Sequence, residues 1–225
     1  ILGWSMTAIA RDAFTLLNGN FPILMLVGQA GAGKSETAKL LLALFHHEEG
    51  QLINAGGATA AGLQLSLESS MSYPTILDEF KPSDISKEKK EGLSNLFNIA
   101  FGRKSTVTRA GAQSTRNNGW RNQDKLSYNA PLMVLGETLM QDSSHRERVV
   151  FATALKTGTY GRQGQLDYLN EYKHRLHRLG AAVVKNYLTM TVKDIQRLVQ
   201  KNRNSLTERF IGTPTRVLTN TATVL

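Results

Sequence analysis

The chain has 225 residues, 41% hydrophobic and 20% charged, enough to bury a sizeable core without covalent staples. It contains no cysteine, which excludes disulfides and cysteine-ligated zinc and is compatible with a reducing cytoplasm. No apolar run approaches the ~20 residues of a membrane-spanning helix, and a net charge of +9 points to a polyanionic partner, most often nucleic acid.

The chain begins at Ile1 and ends in Thr221-Ala-Thr-Val-Leu225 without a helix stop, which reads as a fragment of a longer protein. Residues 2–17 pattern as one amphipathic helix with Trp4, Ala8, Phe14 and Leu17 on a shared face; Trp4 is either core or the wall of an adenine pocket. Asn18-Gly-Asn-Phe-Pro22 breaks that helix and leads into the apolar run 21–27, which reads as a central parallel strand. Gly28 to Ser35 then fits G-x-x-x-x-G-K-[ST] without a mismatch. The glycines let successive N–H groups curl around phosphate oxygens, Lys34 reaches the β/γ-phosphates, and the Ser35 hydroxyl ligands Mg²⁺. The following helix aims its positive end at the same anion. Gly28, Gln29, Ala30, Gly31, Ala32, Gly33, Lys34, Ser35 and Glu36 form the candidate nucleotide-binding set.

His46-His-Glu-Glu49 is no metal site, because consecutive helical positions diverge by about 100°. Residues 52–54 read as a short strand and 59–68 as a helix. The run 73–80 is an apolar strand ending in Asp78-Glu79, the Walker B arrangement. Asp78 is placed to hold Mg²⁺ and Glu79 to polarise an attacking water as general base. A small-molecule kinase has no need of that second acid. Residues 86–101 pattern as a helix.

Between 101 and 125 there are six Lys/Arg and one acid, with β-propensity at 105–109 and 125–128 around a stretch rich in turn formers. A basic β-hairpin is the simplest reading; a flexible basic loop is the bland one. Arg109, Arg116, Arg121 and Lys125 are the candidates for phosphate contact, and Trp120 for stacking on a base. The strand at 131–136 ends in Glu137-Thr138, either of which suits a sensor of the γ-phosphate or a plain strand cap. Arg146 and Arg148 stand before the strand 149–154, where Arg148 first and Arg146 second are candidates for a finger in a neighbouring subunit's site. The competing reading is a surface ion pair through Glu147, and His145 has no evident partner.

Beyond a linker at 156–162 the chain turns helical and basic. Leu166, Leu169, Tyr172, Leu176 and Leu179 form an apolar stripe, and Gly180 is a candidate break. Thr191 to Asp194 forms a capping box, Pro214 precedes a last helix, and Arg209 or Arg216 is placed to reach back to a phosphate. Residues 1–160 thus read as an ATPase core with a hairpin insertion at about 102–128, and 161–225 as a C-terminal helical region.

Gly28 to Ser35, Ile76-Leu-Asp-Glu-Phe80, Pro131-Leu-Met-Val-Leu-Gly-Glu-Thr138 and Arg146-Glu-Arg148 together resemble the AAA+ ATPases, and more narrowly the superfamily-three-like helicases of phage, plasmid and mobile-element replication proteins. The resemblance implies an α/β P-loop NTPase fold, a parallel sheet flanked by helices with a C-terminal helical lid. It implies ATP and Mg²⁺ as ligands and a homo-oligomeric ring, usually of six, with ATP between neighbours. It further implies single-stranded DNA gripped by the hairpin, a fused or associated primase or polymerase, no membrane, and residence in a bacterial or phage-infected cytoplasm. The alternative is an AAA+ remodelling or regulatory ATPase acting on protein.

Overall fold

The computed structural model describes residues 1–45, 52–59, 62–63, 66–67, 73–102, 107–110, 123–126, 130–138, 142–156 and 162–225. The residues expected to form one N-terminal helix form two, α1 (Leu2–Ala8) and α2 (Arg11–Asn18). The break follows from side chains that compete with the helical ladder. The Thr7 hydroxyl donates back to the Gly3 and Trp4 carbonyls at 3.0 Å each, and Ala10 leaves helical geometry with ψ 24°. Reorientation lets the fully buried Arg11 donate to the Ala100 carbonyl at 2.6 Å. Trp4 belongs to the core: it is 1% exposed, and its indole N–H donates to the Pro22 carbonyl at 2.7 Å.

Next come β1 (Ile23–Val27), α3 (Lys34–Ala43), β2 (Leu52–Asn54) and β3 (Thr75–Phe80). In the stretch expected as a helix at 59–68, residues 62–63 and 66–67 are helical, with Leu63 and Leu67 buried. Then follow α4 (Lys87–Gly102), β4 (Val107–Ala110), β5 (Gln123–Leu126), β6 (Leu132–Gly136), a one-turn helix α5 (Ser143–Arg146) and β7 (Val149–Thr153). The C-terminal part contains α6 (Arg162–Tyr172), α7 (Leu176–Thr189), α8 (Val192–Arg209) and α9 (Thr215–Val224). Thr191 and Asp194 make the expected capping box in front of α8.

Five strands form a sheet in the order β2-β3-β6-β1-β7, every neighbouring pair parallel. β6 separates β1, which leads into the Gly28–Ser35 loop, from β3, which carries Asp78-Glu79. β1 and β6 are nearly continuous apolar runs because helices cover both of their faces. Alternation sorts their side chains. Ile23, Met25, Leu77, Leu132 and Val134 face α4 through Leu93, Leu96 and Phe97. Leu24, Leu26, Ile76, Met133 and Leu135 share the opposite cluster with α1, α2, α3 and, from the C-terminal part, Ile195, Val199, Leu206, Leu218 and Ala222. β4 and β5 pair antiparallel, as a hairpin requires, with Arg109 opposite Asp124 and Thr108 opposite Lys125.

Two expectations for the C-terminal part need correction. The division falls at a 3-10 turn, Lys173–Arg175, and not at Gly180. Gly180 lies inside α7 because a Cβ there would stand 1.8 Å from the Leu44 carbonyl oxygen; the helix crosses the end of α3 backbone to backbone. The apolar stripe is also incomplete as core, since Leu169 and Leu179 are 43% and 42% exposed.

Candidate functional site

The three strand ends that matter point the same way. β1, β3 and β6 release the phosphate loop, Asp78-Glu79 and Glu137-Thr138 at one edge of the sheet. The loop closes tightly over that edge. The Gly28 N–H donates to the Gly136 carbonyl at 3.1 Å, and a Cβ on Gly28 would lie 2.4 Å from the Ala154 carbonyl oxygen, so no side chain fits. Gly31 and Gly33 take φ of 74° and 81°, the left-handed region that turns N–H groups into a concave anion cradle. Gly33 caps α3, whose N-terminus opens on the loop. Lys34 Nζ donates to the carbonyls of Gly28 and Gln29 at 2.7 and 2.9 Å.

The Ser35 hydroxyl donates to Asp78 Oδ2 at 2.8 Å, joining the two expected Mg²⁺ ligands across 43 residues of sequence. A bulge follows. Leu77 pairs with Val134 and Phe80 with Gly136, leaving Asp78 and Glu79 opposite one residue of β6. The bulge keeps both Leu77 and Phe80 in the α4-side core while Asp78 turns toward α3. Glu79 absorbs the extra residue with φ 55°, a left-handed conformation that costs a non-glycine residue about 1–3 kcal/mol and clusters at functional positions. Its carboxylate accepts from the Asn54 amide nitrogen at the end of β2. The other side of that amide, Asn54 Oδ1, accepts from the Gly57 N–H at 2.9 Å, which fixes the orientation of the side chain.

Sequence reasoning missed two residues here. Asn54 was visible only as the last residue of a short strand; its pairing opposite Asp78 gives it a role. Lys156, three residues past β7, brings its ammonium to the phosphate loop, 3.7 Å from where a Cβ on Gly31 would stand. Of the two sensor candidates, Glu137 forms an ion pair with Lys81 at 3.2 Å, while the exposed Thr138 makes no side-chain hydrogen bond among the described residues.

Arg146 and Arg148 sit at the other end of the sheet. Arg148 Nη1 donates to the Ser144 carbonyl, and its guanidinium lies 5.9 Å from the Phe101 ring centre. Arg146 is exposed. Glu147 pairs with Arg216 at 2.9 Å rather than with either arginine beside it. Arg216 is therefore held at the end of the sheet remote from the phosphate loop, which corrects the expectation that it reaches back to a phosphate. Asn220 donates to the Glu147 carbonyl at 2.7 Å and fixes the same segment from α9. His145 does have partners: it is buried, with Nε2 3.0 Å from Ser94 Oγ and Nδ1 3.4 Å from Asp142 Oδ2. Asp142 caps α5 by accepting from the Ser144 N–H, and that bond lowers its pKa. A cavity of about 490 Å³ lies alongside, between Phe80, Phe97 and His145.

The residues fit a magnesium nucleotide. A hydroxyl and one carboxylate already converge at 2.8 Å beside the cradle, an oxygen set suited to Mg²⁺, which takes one or two carboxylates and completes its shell with phosphates and water. Among the described residues no cluster of three or more His, Cys, Asp or Glu is arranged as an all-protein metal cage. His174 and His177 accordingly lie outside any such cluster; the His174 ring nitrogen is 3.0 Å from the Glu171 carbonyl. Arg116, Trp120 and Arg121 lie outside the described residues. Arg109 and Lys125 fall on β4 and β5, of which the backbone pairing is described.

A parallel sheet with β6 between the phosphate-loop strand and the Asp-Glu strand, flanked by helices on both faces, is an α/β fold of the P-loop NTPase kind. Among solved structures the chain is similar to SCCmec type IV Cch, described as an active helicase, with a TM-score of 0.65 at 14% identity. That match covers 100% of this chain and 42% of Cch, so the chain spans less than half the length of its structural relative. The JCV helicase matches with a TM-score of 0.43 at 12% identity over 96% of this chain and 66% of its own. No family model and no curated protein matches at the level of sequence. Among the described residues no helix is long and apolar enough to cross a membrane.

Proposed function

We propose that this chain is the motor domain of a ring-forming helicase or translocase that hydrolyses ATP between subunits and moves on single-stranded DNA during replication. The observation that carries the reading is the division of the site between two ends of the sheet. Lys34, Ser35, Asp78, Glu79 and Asn54 converge at one end; Arg146 and Arg148 stand at the other, out of reach of their own phosphate loop. Such a site is complete only when a second copy supplies the arginines.

In this reading the cradle and Lys34 hold the triphosphate, Ser35 and Asp78 hold Mg²⁺, and Mg²⁺ when bound neutralises charge on the transferring phosphoryl group. Glu79 accepts a proton from the attacking water, with Asn54 fixing the direction of its carboxylate. Thr138 orients that water, and Arg146, the exposed member of the pair, faces the neighbour's nucleotide. The hairpin of β4 and β5, with Arg109 and Lys125 on its strands, grips DNA by phosphate contacts.

The test is ATP turnover with and without single-stranded DNA, with Lys34→Ala as the inactive control. Stimulation by DNA that fades steeply with added salt supports the reading. Turnover indifferent to nucleic acid but stimulated by a protein client would replace it with the remodelling-ATPase alternative.

A further inference from the structure

The basic character of this chain does not reside only in the hairpin. Residues 162–225 carry eleven Lys/Arg and four Asp/Glu, a net of +7 against +9 for the whole chain. The most regular piece of that segment is α8, an 18-residue helix started by the Thr191–Asp194 capping box. Its buried residues Ile195, Val199 and Leu206 define one side. At 100° per residue, the side opposite them is centred on Lys193, Arg197, Gln200, Lys201 and Asn204, every one of them exposed. The acids of that outward face are Glu208 and, at its rim, Asp194, which is occupied by the capping box. Lys193 and Lys201 have no ion pair among the described residues, and Arg197 makes only a loose one to Asp194 at 3.5 Å with 79% of its side chain exposed. An apolar partner would find no apolar surface at the centre of this face.

We propose that the outward face of α8 docks in the major groove of double-stranded DNA, as a nucleic-acid surface separate from the hairpin. The charge states the partner's sign, and the geometry states its form. Lys193, Arg197 and Lys201 recur every four residues, so the cationic stripe spans about 12 Å of helix axis at 1.5 Å per residue. The dimension that decides fit is the helix diameter, about 10–12 Å with side chains, which the B-form major groove, about 12 Å wide, admits. Beside and just beyond Lys201 lie Gln200 and Asn204, amides of the kind that pair with adenine edges, here joined to each other at 2.7 Å. A-form RNA duplex is disfavoured because its major groove is deep and narrow. Placing a duplex contact on α8 and a single-strand contact on the hairpin gives the domain two separable nucleic-acid surfaces.

The test measures binding of a fluorescent 30-base-pair DNA duplex and of one of its single strands, by anisotropy over a series of salt concentrations. The variants are Lys193→Gln/Arg197→Gln/Lys201→Gln and, for the hairpin, Arg109→Gln/Lys125→Gln. Gln keeps helix propensity, and an unchanged thermal melt verifies folding. The α8 variant is expected to lose about tenfold or more in duplex affinity and to flatten the log–log salt slope by about 2–3, with single-strand binding and ATP turnover unchanged. The hairpin variant is expected to do the reverse, so a failure of the motor reading and a failure of this one look different. Parental duplex affinity and slope in the α8 variant would overturn the proposal, as would an equal loss for duplex and single strand. Equal affinity for an RNA duplex of the same sequence would overturn the groove assignment. A change in oligomeric state with duplex binding intact would reassign the face to contact between copies.

Discussion

Arg146 and Arg148 are separated from their own chain's phosphate loop by the length of β7, five residues at about 3.3 Å each, or roughly 17 Å. No arginine side chain spans that gap. If the pair serves hydrolysis, it serves the site of a neighbouring copy, and this is open to complementation. One preparation carries Arg146→Ala/Arg148→Ala and the other Lys34→Ala. Each alone is expected to be inactive, since loss of an arginine finger costs about 10³–10⁵ in rate. In a head-to-tail ring mixed one to one, about a quarter of interfaces join an intact phosphate loop to an intact arginine pair. Phosphate release by the mixture is therefore expected to recover to about a quarter of the parental rate per subunit. The anchors of the segment, Glu147 to Arg216 and to Asn220, stay in place in both variants, and an unchanged thermal melt checks that losing the Arg148 contacts to Ser144 and Phe101 leaves the fold intact. A mixture as inactive as its components, in rings that size-exclusion shows to be mixed, would refute action across the subunit boundary. So would full activity of the arginine variant alone.

Glu79→Gln is expected to bind ATP normally while turnover falls about 10²–10⁴-fold, measured by filter binding beside phosphate release. Lys156→Ala is expected to raise the KM for ATP several-fold with little change in melting temperature, because the ammonium lies beside Gly31 and is otherwise exposed. Gly180→Ala is the structural control. Helix propensity alone would favour Ala by about 0.5–1 kcal/mol, whereas a Cβ 1.8 Å from the Leu44 carbonyl forces α3 and α7 apart. Overpacking of this kind costs about 1–3 kcal/mol, so a net fall of a few degrees in melting temperature is expected. A rise would show that the helices do not meet there.

What was legible in the sequence was whatever a short stretch determines by itself. The phosphate loop, the apolar strands and the capping box at Thr191 each depend on neighbours within a few residues, and each stands where the pattern places it. The break between α1 and α2 escaped because the hydrophobic period runs through it; Thr7 back-bonding and the pull of Ala100 on Arg11 are specific to the folded chain. Gly180 looked like a helix breaker because a lone glycine carries no sign of the backbone it must approach. Asn54, Lys156 and His145 depend on partners 25, 125 and 51 positions away, and nothing in the spacing of a single sequence fixes such pairs. Glu79 is the clearest case. Its residue type and place made it the candidate general base, but its left-handed φ arises from a register shift against β6 that the sequence does not display.

β7 connects the two halves of the proposed site. At its start the Arg148 carbonyl accepts from the Ile23 N–H, and at its end the Ala154 N–H donates to the Val27 carbonyl, so the strand is tied to β1 along its whole length. The residues before it carry the two arginines assigned in the proposal to a neighbour's site; the residues after it bring the Ala154 carbonyl against Gly28 and Lys156 against Gly31. A strand of five residues paired in register cannot shorten or slide by less than a residue without breaking that ladder. In the proposed motor, a displacement of β1 and β7 together on nucleotide binding or release would carry Arg146 and Arg148 with it. Glu147 links it on to Arg216 and α9, and through α9 to the helix whose basic face we assign to duplex DNA. On the proposed function, these contacts form a continuous path from the phosphate loop through β7 to the C-terminal helices. Glu147→Ala should weaken that coupling: DNA stimulation of turnover is expected to fall while basal turnover and ATP binding persist. Unaltered stimulation would place the coupling elsewhere in the fold.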